Sequence, residues 1–309
     1  MSVGIWLVLL LGLVLGVGWA LRPVRTTGAT SPSEAFVAAE RHARRVTAVA
    51  WCVLVPVPVL VLTLAPTASA FALTNPAVGG VVPGAVPLLA GVGFAAVHLV
   101  GELTWPRPDG PVRRAPLVRR RIRDVAPRAL LALTCTWAAL LALLLVVCGA
   151  AAGSDARSLS YSHAGRVVNT ASPFPGWYYG RWIGVALVIL VVGCLAVLAL
   201  VARRPAVADT DPADDLTLRR TSARRVLAGV QLTVGWTFAA CLFVAANAVR
   251  SVQPRWADAF GVGSSEAVAL TAAVVALAIA AAAPVIALRC SRAPRATATP
   301  VVTRPQVAA

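Results

Sequence analysis

Trp182-Ile-Gly-Val-Ala-Leu-Val-Ile-Leu-Val-Val-Gly-Cys-Leu-Ala-Val-Leu-Ala-Leu-Val-Ala202 runs for 21 residues without a charge and is followed at once by Arg203 and Arg204. At a rise of 1.5 Å per residue, a helix of that length covers the roughly 30 Å of hydrocarbon in a bilayer. Unsatisfied peptide groups are too costly in lipid for any open conformation, so the run reads as a transmembrane α-helix that ends where the arginines begin. Six other runs share this character, and the full set is 3–21, 46–64, 81–103, 129–150, 182–202, 226–249 and 267–288. Hydrophobic residues make up 59% of the 309 and charged residues 13%, and mean hydropathy is +0.79, well outside the balance of a soluble domain. The expected fold is an all-α membrane protein, a bundle of seven transmembrane helices forming a single domain over residues 1–290. Residues 291–309 are expected to be a flexible cytoplasmic tail.

Arginine placement sets the direction of threading. The chain has no lysine, and 23 of its 28 arginines fall on one side of the expected spans, against five on the other. The rich side carries Arg22, Arg25, Arg41, Arg44 and Arg45, the run from Arg107 to Arg128, the set Arg203 to Arg225, and the tail; the poor side has only Arg157, Arg166, Arg181, Arg250 and Arg255. By the positive-inside rule the rich side is cytoplasmic, with the N-terminus outside and the C-terminus inside. The net charge of +16 is then explained by loops lying on an anionic inner leaflet, and no nucleic acid partner is expected. The first run is expected to stay as a helix, because Met-Ser-Val-Gly-Ile-Trp6 has no positive residue before it and the arginines come after it.

Two of the helices should start in the cytoplasm. Ser31-Pro-Ser-Glu34 has the spacing of a capping box ahead of the second span, and Asp211-Pro-Ala-Asp-Asp215 can cap a helix running into the sixth. The acidic cluster lacks the ligand spacing of a calcium loop. These two helix starts share an Ala-Arg-Arg-Val motif, at Ala43 and Ala223, with a looser echo at Ala126. One leading helix plus three helical hairpins is an arrangement compatible with that echo, as is a common chemistry for bringing a helix into the membrane. The small residues Ala269, Ala272, Ala276, Ala280 and Ala283 recur at helical spacing and should form a close-packing face. Pro56, Pro58, Pro83, Pro87 and Pro284 lie within spans, where kinks are expected. Trp6, Trp19, Trp51, Trp105 and Trp182 fall near span ends, as in an interfacial belt, whereas Trp137 and Trp236 lie deeper and should face the bundle, where an indole N–H needs a partner. The six cysteines lack Cys-x-x-Cys spacing and read as packing residues.

The candidate site comes from one stripe of the third span. Gly91, Ala95, His98, Glu102 and Trp105 recur at steps of three and four and share a helix face that should point into the bundle. An ionisable residue in a span is by default a functional hypothesis: His98 could relay protons, with Glu102 tuning its basicity. Glu102 lies about one turn from Trp105, which favours an anchor paired with Arg45, Arg128 or Arg225. Gln231 and Trp236 complete a candidate intramembrane polar site if the helices bring them to His98. Gln231, Asn247, Thr134 and Thr136 are expected to make interhelical hydrogen bonds. The external loop 153–180 contains His163 and several prolines and glycines; turns and interfacial anchoring are its simplest uses. No phosphate loop, zinc-spaced His/Cys set or activated nucleophile occurs, so neither catalysis nor a cofactor is expected.

Gly101-Glu-Leu-Thr-Trp-Pro-Arg-Pro-Asp-Gly-Pro-Val-Arg-Arg114, together with Pro173-Phe-Pro-Gly-Trp-Tyr-Tyr179, resembles segments of uncharacterised multi-pass integral membrane proteins of high-GC actinobacteria. The resemblance implies a multi-pass protein of a bacterial plasma membrane and supplies no catalytic residue. The expected role is a non-catalytic membrane subunit, scaffold or sensor, with a membrane or cytoplasmic protein as partner. The alternative is a small transporter or channel using His98 and Glu102.

Overall fold

The computed structural model describes residues 33–55, 76–106, 120–252 and 263–290. Seven helices and two strands occur among them: α1 Glu34–Leu54, α2 Pro76–Leu103, α3 Ile122–Val125, α4 Arg128–Ala151, β1 Leu159–His163, β2 Arg166–Ala171, α5 Trp177–Arg203, α6 Pro212–Val252 and α7 Gly263–Cys290. Among the described residues, five helical stretches are long and apolar enough to cross a membrane: Gly84–Leu103, Arg128–Ala151, Trp177–Arg203, Pro212–Val252 and Glu266–Cys290. The protein is thus a helical membrane protein. The expected span at 3–21, most of the one at 46–64, Pro56, Pro58, Trp6, Trp19 and the tail 291–309 lie outside the described residues.

Local chemistry accounts for where the helices begin. Ser33 caps α1 by accepting from the Phe36 N–H at 3.2 Å, two residues past the Ser31 expected from spacing. Asp211 accepts from the Ala213 N–H at 2.7 Å ahead of α6, and Pro212 occupies the first helical position, where a missing N–H costs nothing. At 41 residues, α6 extends about 60 Å, roughly twice the hydrocarbon thickness. The helix that starts at Pro212 thus runs without a break into residues 226–249, the expected sixth span.

That length makes α6 the spine. It is buried on nearly all sides, with Leu218, Ala223, Leu227, Ala228 and Val234 inaccessible. α7 lies along it through Ala269, Ala276, Ala283 and Ala287, each nearly or fully buried, so the small-residue face does pack. α2 crosses α6 where Gly229 faces the fully buried Phe94 ring and a Cβ would overlap it. α1 approaches α2 where Gly101 faces Val46 with equally little room. Leu143, Val146 and Val147 on α4, Val185, Val188 and Val192 on α5, and Val274 and Leu277 on α7 are exposed, the outward apolar belt of a bundle solvated by lipid. Trp182 is half exposed in that belt, but Trp51 is 4% exposed and packs edge-on against Phe94. The interfacial position expected of Trp51 is therefore replaced by a core one, because α1 leans its Trp51 face onto α2.

Between α4 and α5 the chain leaves the helical pattern for one two-stranded sheet. β1 and β2 form an antiparallel hairpin around Ala164 and Gly165, both at positive φ, as a type I′ turn requires. Tyr161, Ala171 and Phe174 pack on Cys148, Ala245 and Ala248, and Asn169 donates to the Ser251 carbonyl at 2.9 Å. The hairpin thus covers the C-terminal ends of α4 and α6. Asp155 anchors its base: the Arg157 N–H, the Ser158 N–H and the Ser158 hydroxyl all donate to Oδ1 and hold the carboxyl below the usual carboxylate range, the Arg157 bond contributing most. A depressed acid stabilises the fold above its unfolded pKa and loses that contribution as pH falls through the folded one. Amide-exchange protection over 157–171 should therefore be higher in wild type than in Asp155→Ala at neutral pH, and the two should converge in acid. A constant gap would exclude the carboxylate.

Candidate functional site

The stripe on α2 faces inward as its spacing requires. Gly91 meets Leu190 of α5 and Thr233 of α6, Ala95 and His98 are buried, and Trp105 is 7% exposed beyond the helix end. His98 stacks edge-on against Phe94 with centroids 4.7 Å apart. His98 and Glu102 line one small cavity with His42, Thr47, Trp105 and Ser222. Its volume is about 10 Å³, close to the minimum for one water molecule. His98 Nε2 and Glu102 Oε2 are buried without hydrogen-bond partners among the described residues.

The charge opposite Glu102 comes from Arg204, at the C-terminal end of α5. Its Nη1 lies 3.8 Å from Glu102 Oε1 and 3.4 Å from the Ser222 hydroxyl, and its guanidinium sits 4.0 Å over the Trp105 ring. A planar cation can hold an aromatic face and a carboxylate edge at once, which an ammonium cannot. Burial lowers the Arg204 guanidinium to about 10, against the pull of Glu102 in the other direction, so it is charged at neutral pH. None of Arg45, Arg128 and Arg225 is the ion-pair partner expected for Glu102. Arg45 and Arg128 are solvent- or lipid-exposed, and Arg225 is turned toward α1, where Glu40 is its acidic neighbour. The Ala-Arg-Arg-Val echo thus places its second arginine on the surface in α1 and in the core in α6. Below Trp105, His42 of α1 donates from Nε2 to the Gly101 carbonyl at 2.9 Å and meets the Trp105 ring edge-on at 5.5 Å.

Near the start of α6 lies a second ionic knot, built on a carboxylate whose sequence position suggests only helix capping. Asp215 is turned inward and nearly inaccessible, and its Oδ2 accepts from Arg219 Nε and Arg120 Nη1, each at 2.8 Å. The other nitrogens of Arg219 donate to the carbonyls of Val201 at 3.0 Å, Ala202 at 3.3 Å and Pro205 at 3.2 Å. The Val201 and Ala202 carbonyls are among those that the end of α5 leaves without helical donors, and Pro205 lies just past that end. The signal for this knot in the sequence is the i,i+4 spacing of Asp215 and Arg219 at the start of a helix.

Gln231 and Trp236 do not line the His98 cavity. They belong to the seam of α6 with α7, where Gln231 Nε2 donates to the Ala283 carbonyl and Trp236 Nε1 to the Ala280 carbonyl, both at 2.9 Å. Pro284 lies inside α7 and has no N–H to offer Ala280, four residues before it. The indole therefore replaces the bond that proline removes. Trp236→Phe should destabilise the protein by about 1–3 kcal/mol by stranding that carbonyl, and adding Pro284→Ala, which restores the N–H, should recover most of the loss in a detergent melt. Trp137 packs on Phe238 with its indole N–H unpartnered in protein. Thr134 and Asn247 bond to the Leu130 and Phe243 carbonyls of their own helices, and Thr136 is exposed. The interhelical bond expected of Gln231 is made, to α7, whereas Thr134 and Asn247 turn back to the carbonyl four residues before them, which is within reach of their short side chains. Comparison with family models, with curated proteins and with solved structures gives no match.

Proposed function

We propose that the chain is a non-catalytic protein of a bacterial plasma membrane, a membrane subunit, scaffold or sensor, threaded with its arginine-rich face toward the anionic inner leaflet. Supporting this reading is the mutual neutralisation of its ionisable groups at one end of the bundle. Glu102 is clamped by Arg204, Asp215 by Arg219 and Arg120, and the space between His98 and Glu102 admits about one water. Such a knot fixes how α1, α2, α5 and α6 meet and gives the cytoplasmic face a rigid shape to present to a lipid surface or a protein.

The alternative, a small transporter or channel, draws on one observation: His98 Nε2 and Glu102 Oε2 border the same cavity, and each lacks a hydrogen-bond partner among the described residues. Proteoliposomes carrying an imposed pH gradient separate the two. The subunit reading expects flux of protons and small ions no greater than in protein-free vesicles. Flux that rises with the gradient and disappears in a folded His98→Ala variant would replace it with the transport reading.

A further inference from the structure

A cleft of about 630 Å³ opens between α3, the start of α4 and the end of α5. Arg120, Arg121, Arg123 and Arg203 line it, with no acidic residue among the described residues of its walls. Arg120 is engaged by Asp215. Arg121, Arg123 and Arg203 are exposed, and among the described residues none of the three forms an ion pair with a carboxylate. The rest of the wall is aliphatic. Leu131 lies three residues inside α4 and Ala199 four residues before the end of α5, each about one helical turn deeper toward the hydrocarbon. Guanidinium groups therefore ring the level where the spans end, and methyl groups continue below them.

We propose that this cleft binds one anionic phospholipid of the adjoining leaflet, its phosphodiester held by Arg121, Arg123 and Arg203 and its first acyl methylenes against Leu131 and Ala199. Guanidinium forks match phosphate oxygens in pairs, and basic pockets between membrane helices are suited to anionic headgroups. The volume falls within the usual range for a small-molecule site. A soluble phosphate would use the arginines but not the aliphatic wall one turn below them, which is why a lipid is the better occupant. Which leaflet adjoins the cleft rests on the proposed threading; the cleft itself does not.

The test uses the full chain purified in detergent, incubated with mixed micelles of phosphatidylglycerol and phosphatidylcholine, and analysed by native mass spectrometry. Wild type should retain one phosphatidylglycerol per chain in preference to phosphatidylcholine. Arg121→Gln, Arg123→Gln and Arg203→Gln combined should lower that retention by roughly ten- to a hundredfold, given the contribution of each interfacial arginine. A control with Arg157, Arg166 and Arg181 changed to glutamine removes the same charge at the opposite end and should retain the lipid as wild type does. Equal retention by the cleft variant, no preference for the anionic lipid, or displacement of the lipid by excess inorganic phosphate would each overturn the proposal. Labelling of single cysteines from either side of sealed vesicles reports the threading separately, so an inverted chain that still retained the lipid would refute the orientation alone.

Discussion

Arg219→Ala should destabilise the bundle by about 3–5 kcal/mol, the range for removing one partner of a buried charged pair. The side chain is almost inaccessible and serves four acceptors on two sides, the Asp215 carboxylate and the carbonyls of Val201, Ala202 and Pro205. Its loss leaves Asp215 with Arg120 as its ion-pair partner and exposes the end of α5 to fraying, since nothing replaces the guanidinium as a cap for those carbonyls. Arg219→Lys should recover part of the loss and not all of it. An ammonium can satisfy the carboxylate or one or two carbonyls, but it lacks the planar fork that reaches all four. Unfolding in mixed micelles gives the free energies, and amide exchange at 198–205 should rise first in both variants. An alanine variant within about 0.5 kcal/mol of wild type, the scale of ordinary surface changes, would show that the knot adds nothing to stability.

The parts of the fold readable from sequence are those controlled by the bilayer. The runs around 81–103, 129–150, 182–202, 226–249 and 267–288 each correspond to a helix, because a long apolar segment in lipid has few alternatives. The early start of α6 at Asp211 and the inward stripe of α2 are legible for equally local reasons, a cap and a period of 3.6. The hairpin is not among the expected elements, although Leu159-Ser-Tyr-Ser-His163 alternates and a two-residue Ala-Gly turn follows. Prolines and glycines around it suggest only irregular turns. Partner choice is not legible at all. Glu102 pairs with Arg204 rather than with Arg45, Arg128 or Arg225 because α5 ends beside α2 at that level, and helix register is a property of packing that charge counting does not contain. The division of the polar set is similar: Gln231 and Trp236 are committed to α7 by its carbonyls at Ala283 and Ala280, the latter freed by Pro284, a relation visible only once α6 and α7 are side by side.

The Glu102–Arg204 pair should behave as a stability clamp in a double-mutant cycle. Arg204→Met removes the cation and leaves a largely buried carboxylate facing an aromatic wall, which should cost about 3 kcal/mol. Glu102→Gln should cost less, about 1–2 kcal/mol, because the guanidinium keeps the Trp105 face and the Ser222 hydroxyl. The double variant carries no buried charge at this position, so its loss should fall below the sum of the two, with a coupling of about 1–3 kcal/mol between residues in contact. Trp105→Leu should weaken that coupling by removing the surface on which Arg204 lies flat. A clamp and a conduction residue predict opposite patterns here. If Glu102 served a pathway, its neutralisation would leave the melt unchanged and the two substitutions would add within about 0.5 kcal/mol. That additivity would remove the main support for treating this end of the bundle as a rigid platform. It would also shift attention to the water-sized space that Glu102 shares with His98, where a proton could then be exchanged without the arginine holding the carboxylate in place.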